Sequence, residues 1–208
     1  ILRSLGDIHM NRHIAHFRQT NPSLRFNVFD LPTYQIHQAL TEGRLDVVST
    51  YFVKESLPDR EPAEAYEVIH FCTDNLVYYA PLLPLGEFPL TRSQLLSRPL
   101  VLYPTSYFMN QIYQDYFAGT NREPMISARL STPYAMIHYC QENGAGALLP
   151  ERLLRTLGHH NGWHELQLPL KAEGYLIYRK NNPKLPLIRP YVEQVLASFA
   201  QKPGEPIV

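Results

Sequence analysis

Residues 125–150, MISARLSTPYAMIHYCQENGAGALLP, read as a strand, a helix and a second strand in succession. Met125 to Leu130 forms the first strand. Thr132-Pro133 then supplies a helix cap and a first-turn proline, whose missing N–H has no helical partner at that position anyway. Ile137 and Cys140 mark the apolar side of the helix, Gly144-Ala145-Gly146 ends it, and Ala147-Leu148-Leu149 returns as a buried strand. A strand–helix–strand unit with connections this short requires parallel pairing, with the helix laid on the sheet.

The same pattern occurs earlier in the chain. Asp7 caps a helix whose apolar side is Met10, Ile14 and Phe17, and Asn21-Pro22 ends it because a residue before proline avoids the helical region. Leu24 to Phe29 alternates like a strand. Thr33 begins a second helix bearing Ile36 and Leu40, Gly43 provides its left-handed stop, and Leu45-Asp46-Val47-Val48 reads as a buried strand. Leu76 to Ala80 is a further strand running into Pro81-Leu82-Leu83-Pro84-Leu85-Gly86, which is too proline-rich to remain in a sheet and suits a crossing between lobes. Tyr175 to Tyr178 is a late strand, followed by a helix with Ile188, Tyr191, Val192, Val195 and Phe199 on one side. If this last pair packs back on the first unit, the chain crosses twice and a hinge results. The expected fold is α/β, with two Rossmann-like lobes joined by a two-strand hinge: residues 1–80 plus 174–208 form lobe I and 81–173 form lobe II.

Composition narrows the function. With 208 residues and a hydrophobic fraction of 45%, the chain can build a core without metals or disulfides. Nineteen basic residues balance nineteen acidic ones, whereas a DNA-binding surface carries a basic excess. Cys72 and Cys140 stand apart among apolar neighbours and read as small buried side chains in a reducing cytoplasm. The opening Ile1-Leu2-Arg3 shows no secretion signal, so the chain reads as an excised piece. There is no G-x-S-x-G elbow, P-loop or dinucleotide fingerprint, so neither an enzyme nor a cofactor is expected. His9, His13 and His16 share one helix, and His159, His160 and His164 cluster later, but no carboxylate or Cys joins either set at ligand spacing. No metal site is expected.

The run Phe17-Arg18-Gln19-Thr20-Asn21-Pro22-Ser23-Leu24-Arg25-Phe26, with Leu40-Thr41-Glu42-Gly43-Arg44-Leu45-Asp46-Val47-Val48, resembles the signature of LysR-type effector-binding domains. Pro81 to Gly86 resembles the family's crossover, with Leu83 in place of its His, and Gly144 to Pro150 resembles its late glycine segment. The resemblance implies the type II periplasmic-binding-protein fold, a small-molecule effector in the cleft between lobes, and DNA binding only through an upstream winged helix-turn-helix domain. It also implies a homodimer or tetramer without membrane association. The alternative is the solute-binding protein of a transport system, which shares the fold.

In doubly wound lobes, ligands meet helix N-termini at the C-terminal ends of strands, and such termini favour anions. Ser4, Thr33, Thr105-Ser106 and Thr132 precede four helices, where each hydroxyl could equally cap its own helix. By resemblance, Ser4, Thr33 and Thr105-Ser106-Tyr107 match effector-contacting positions, and Tyr51 stands where some members have a basic residue. That difference favours a ligand with one carboxylate or none. The candidate effector-binding set is Ser4, Leu5, Thr33, Tyr51, Thr105, Ser106, Tyr107 and Thr132, for a small polar or anionic molecule. Tyr79 reads as an ordinary strand residue. The apolar stripe Met109, Ile112, Tyr113, Tyr116 and Phe117 is wide enough to cover its sheet and still project outward. The resemblance pairs that helix with the first helix of a second copy, whose histidines would make association pH-dependent.

Overall fold

The computed structural model describes residues 10–31, 33–51, 63–83, 86 and 89–200. The chain forms two units, 1–73 with 173–208 and 74–172. It passes from one to the other inside two strands, between Thr73 and Asp74 and between Ala172 and Glu173. The proline-rich stretch from Pro81 follows the first passage and belongs to the second unit.

In unit 1, helix α1 (Asn11–Thr20) buries His13, Ile14 and Phe17 and stops at Asn21, whose N–H bonds back to the Phe17 carbonyl. The Asp7 cap lies outside the described residues. Helix α2 (Thr33–Thr41) buries Ile36 and Leu40, and Gly43 follows it at φ 69°. The next strand, β1, is Val48–Tyr51. The buried strand thus starts at Val48 instead of Leu45, because Leu45, Asp46 and Val47 are only half-buried and enter no ladder. Strand β1 pairs antiparallel with the later strand β7 (Leu170–Arg179), Val48 opposite Ile177 and Tyr51 opposite Gly174. Beyond β7 lies β2 (Tyr66–Tyr79).

Among the described residues the expected parallel strand–helix–strand unit is not seen: Leu24–Phe29 enters no ladder with them, and Val28 and Phe29 are each 48% exposed. Alternation marks a segment able to pair, but a strand exists only when a neighbouring main chain supplies the hydrogen bonds. Helix α7 (Leu185–Ala200) packs on α1, with Tyr191 edge-on to Phe17 at 5.6 Å. On the other side Ile36, Leu40, Val48, Tyr66 and Ile177 form one apolar cluster.

Unit 2 contains α3 (Arg92–Leu96), β3 (Leu100–Leu102), α4 (Phe108–Phe117), β4 (Ile126–Arg129), α5 (Pro133–Asn143), β5 (Gly146–Pro150), α6 (Glu151–Thr156) and β6 (Trp163–His164). Here the parallel pattern is realised: β3 lies between β4 and β5 and is parallel to both. The end of β2 pairs antiparallel with β5, Leu76 opposite Pro150. Thr91 and Gln94 form a reciprocal capping box on α3. Gly146 is required by contact: a methyl group there would overlap the ring of Tyr78, which is fully buried. Cys72 and Cys140 are both buried, and burial pushes the Cys140 thiol up to about 12.

The histidine helix is arranged differently from the sequence reading. His13 is 4% exposed, with its Nε2 2.5 Å from Ser198 Oγ on α7. Because the Ser198 hydroxyl donates to the Val195 carbonyl, the imidazole Nε2–H is the donor in this pair. Burial, helped by Arg12 and His16, lowers the His13 pKa to about 4. His13 therefore faces its own fold and is withdrawn from any association surface. His16 is half-buried, and His9 lies outside the described residues. Helix α4 likewise spends its stripe internally: Met109, Tyr113, Tyr116 and Phe117 are all buried in the unit and Ile112 is half-buried. Most of that stripe is thus covered within the unit, since a stripe's width in sequence does not say how much of it the sheet covers.

Candidate functional site

Strands β3 and β4 run parallel, with Leu102 opposite Arg129, and the Leu130 N–H bonds to the Leu102 carbonyl at 2.9 Å. Their C-terminal ends therefore open at the same edge. The loop 103–107 leaves β3 there to start α4, and the turn 130–132 leaves β4 there to start α5. Parallel pairing thus brings Thr105, Ser106, Tyr107 and Thr132 to one edge of unit 2.

The two turns handle their hydroxyls differently. Thr132 Oγ1 accepts from the Ala135 N–H at 3.2 Å, so this threonine caps α5. Helix α4 has Tyr107 at its N-cap and no side-chain cap bond. Thr105 and Ser106 are exposed and do not cap the helix they precede. The capping explanation thus holds for Thr132 and fails for the other pair.

The loop is fixed from beneath. Asn110, 6% exposed, donates from Nδ2 to the Tyr103 carbonyl at 2.9 Å and also to that of Pro104. Arg129 Nη1 donates to the same Tyr103 carbonyl at 2.9 Å and to Asn110 Oδ1 at 3.3 Å. The rings of Tyr103 and Tyr107 stack, 5.7 Å apart and 8° from parallel, and Tyr113 continues the stack at 6.5 Å. Tyr113 donates to the Leu148 carbonyl at 2.8 Å, and burial holds its phenol well above the usual range, so it stays protonated. The result is an uncapped helix N-terminus with two exposed hydroxyls, a half-buried tyrosine and one guanidinium. Backbone N–H groups at such a terminus favour anions, and Arg129 adds a full positive charge.

Asn110 and Arg129 were missed in the sequence. Arg129 carried a signal, being the one charged residue of the predicted strand and standing at its C-terminal end. Asn110 carried none, because a polar residue inside an amphipathic helix reads as solvent-facing.

In unit 1, Tyr51 ends β1 and is 1% exposed. Thr33 begins α2, and Ser4 and Leu5 lie outside the described residues. Tyr79, in β2, is buried, its hydroxyl 3.4 Å from His159 Nδ1. Clefts of about 420 Å³ in unit 1 and 330 Å³ in unit 2 are lined by none of the candidate residues. Among the described residues no three His, Cys, Asp or Glu side chains come together as a metal site would require, and no helix is long and apolar enough to cross a membrane.

Solved structures similar to this chain share its fold. Full-length BenM aligns at a TM-score of 0.78 with 20% identity, over 98% of this chain and 68% of its own. The BenM effector binding domain with its effector benzoate aligns at 0.76 with 19% identity, covering 98% and 93%. The effector binding domain of QuiR in complex with shikimate aligns at 0.76 with 16% identity, covering 96% and 94%. No curated protein matches the chain. Mixed α/β architecture and these neighbours together give the two-lobed periplasmic-binding-protein-like fold. The family described as "LysR substrate binding domain" matches residues 1–200, which favours a regulator over a transport protein. Matched over nearly its whole length, the chain belongs to the LysR substrate-binding-domain family, the ligand-sensing part of a transcriptional regulator.

Proposed function

We propose that this domain senses a small anionic metabolite without converting it, through Ser4, Leu5, Thr33, Tyr51, Thr105, Ser106, Tyr107 and Thr132. The observation that carries this reading is the exposed Thr105-Ser106 pair ahead of an uncapped α4, with Arg129 beneath the same loop. Hydroxyls that do not serve their own helix are placed to serve a ligand, and the N-terminus with the guanidinium selects negative charge. Thr132 acts mainly as the α5 cap, so its contact with a ligand is secondary. Benzoate and shikimate, bound by BenM and QuiR in their solved structures, are both carboxylates, which supports the same class here. The full-length protein is a cytoplasmic homodimer or tetramer that meets DNA through a separate upstream domain, with the two units, 1–73 with 173–208 and 74–172, acting as the two sensing lobes.

Thermal-shift screening against monocarboxylates, dicarboxylates and neutral analogues tests the reading, because a ligand stabilises by RT ln(1 + [L]/Kd). A monocarboxylate is expected to raise Tm, and the double variant Thr105→Ala/Ser106→Ala to weaken it by about fivefold to a hundredfold at unchanged fold, as two lost hydrogen bonds imply. Conversion of the stabilising compound into product, or undiminished affinity in the double variant, would refute it.

A further inference from the structure

Unit 2 carries a second convergence of polar groups, at the N-terminal end of β5. Tyr78 on β2 lies opposite Leu148 on β5, and Gly146, two residues back along β5, shares the sheet face of both. Gly146 has no side chain, so the Tyr78 ring lies across it, and a methyl group there would overlap both the ring and its hydroxyl. The Gly146 N–H bonds to the Pro99 carbonyl at 3.0 Å, and the Arg98 N–H bonds to the Leu95 carbonyl of α3 at 3.1 Å. These two bonds fix Arg98 at the end of the strand over which the Tyr78 hydroxyl lies. Because β5 runs parallel to β3, this end is opposite to the one where the loop 103–107 presents Thr105 and Ser106.

The groups gathered here lack partners. Tyr78 is fully buried, yet its hydroxyl has no hydrogen-bond partner among the described residues, and the buried Nε of the half-buried Arg98 has none either. Polar groups taken out of water are nearly always bonded, and each exception calls for a partner from elsewhere. Among the described residues no carboxylate pairs with the Arg98 guanidinium. Its charge acts on Tyr78 and on His164, which lies opposite Tyr78 on β6. Burial pushes the Tyr78 phenol far up despite Arg98, so the hydroxyl keeps its proton and can donate. Burial, helped by Arg98, holds His164 below its usual range, so at pH 7 the imidazole is neutral. Two donors and one uncompensated positive charge therefore share this position. A water could accept both bonds but would leave the charge unmatched and would need acceptors for its own two protons. A small monovalent anion matches the donors and the charge together.

We propose that Tyr78 and Arg98 form a second anion site, separate from the candidate effector site, which holds one small monovalent inorganic anion such as a halide or nitrate. The anion accepts from the Tyr78 hydroxyl and the Arg98 Nε–H and ties β2 to the segment between α3 and β3. The site is independent of the sensing role proposed for Thr105 and Ser106.

Thermal unfolding in gluconate, chloride, nitrate and iodide at one ionic strength tests this, and crystals grown with iodide locate the ion by its anomalous signal. Chloride, nitrate or iodide should raise Tm saturably where gluconate does not, and the iodide peak should lie within hydrogen-bond reach of both Tyr78 Oη and Arg98 Nε. Arg98→Gln should weaken the anion by about tenfold or more and Tyr78→Phe by about threefold to tenfold, as loss of a charged and of a neutral hydrogen bond implies. Tyr78→Phe removes a single oxygen and decides the matter if Arg98→Gln fails to fold. Thr105→Ala/Ser106→Ala should leave the halide response unchanged, which separates this site from the effector site. A Tm that does not distinguish halide from gluconate would make the occupant a water and overturn the proposal. So would an undiminished response in Tyr78→Phe, a response lost in Thr105→Ala/Ser106→Ala, or an iodide peak elsewhere only.

Discussion

Asn110→Ala tests how the candidate site is built. The side chain makes two donations, to the Tyr103 and Pro104 carbonyls, and accepts one bond from Arg129. Neither carbonyl is orphaned by the change, because Tyr103 keeps the Arg129 donor and Pro104 keeps the Tyr107 N–H at 2.9 Å. The loss is therefore that of the bonds themselves, roughly 1.5–3 kcal/mol at about 1 kcal/mol each, without the larger penalty for buried unsatisfied groups. Asn110→Asp sharpens the test. It keeps the volume and strengthens the Arg129 contact, yet turns a carboxylate on two carbonyl oxygens, so at pH 7 it should cost more than the alanine. Urea unfolding followed through Trp163, the single tryptophan and a member of the same unit, reads both variants. Affinity for the stabilising carboxylate should fall alongside, since the loop bearing Thr105 and Ser106 loses its support. A loss below about 0.5 kcal/mol for the alanine, or an aspartate better tolerated than the alanine, would show that the Asn110 amide does not hold the loop.

Gly146→Ala should destabilise by roughly 1–3 kcal/mol or more by driving a methyl into the Tyr78 ring, and Tyr78→Leu should recover part of the loss in a double-mutant cycle. Thr132→Ala should cost about 1 kcal/mol in thermal unfolding through loss of the α5 cap while leaving carboxylate affinity within about twofold. His13 has a folded pKa near 4 against 6.5 unfolded, so its neutral form stabilises the fold fully above pH 6.5 and progressively less as pH falls toward 4. Between pH 7 and pH 5 the wild type should lose about 2 kcal/mol more than His13→Gln, measured by urea midpoints; parallel losses in the two proteins would contradict the buried, neutral imidazole.

Local signals settled much of this protein. Thr132-Pro133 and Gly144 fixed α5 from both ends, Asn21-Pro22 and Gly43 ended the first two helices, and the alternation of strands and helices called for an α/β fold. Each of these depends on a few neighbouring residues: a cap, a proline ring, a left-handed glycine. Tertiary structure decided the rest. Leu24–Phe29 has the alternation of a strand but enters no ladder among the described residues, and β1 starts where β7 meets it, at Val48. His13 faces α7 because the helix pair turns it inward, and α4 buries most of its apolar stripe within its own unit. At the candidate site, Thr105 and Ser106 are released from capping by a backbone that places Tyr107 at the N-cap, and Asn110 and Arg129 meet across nineteen positions of sequence. Hydrogen-bond partners and burial are set by segments distant in the chain, so they are invisible to any window of sequence that does not contain both.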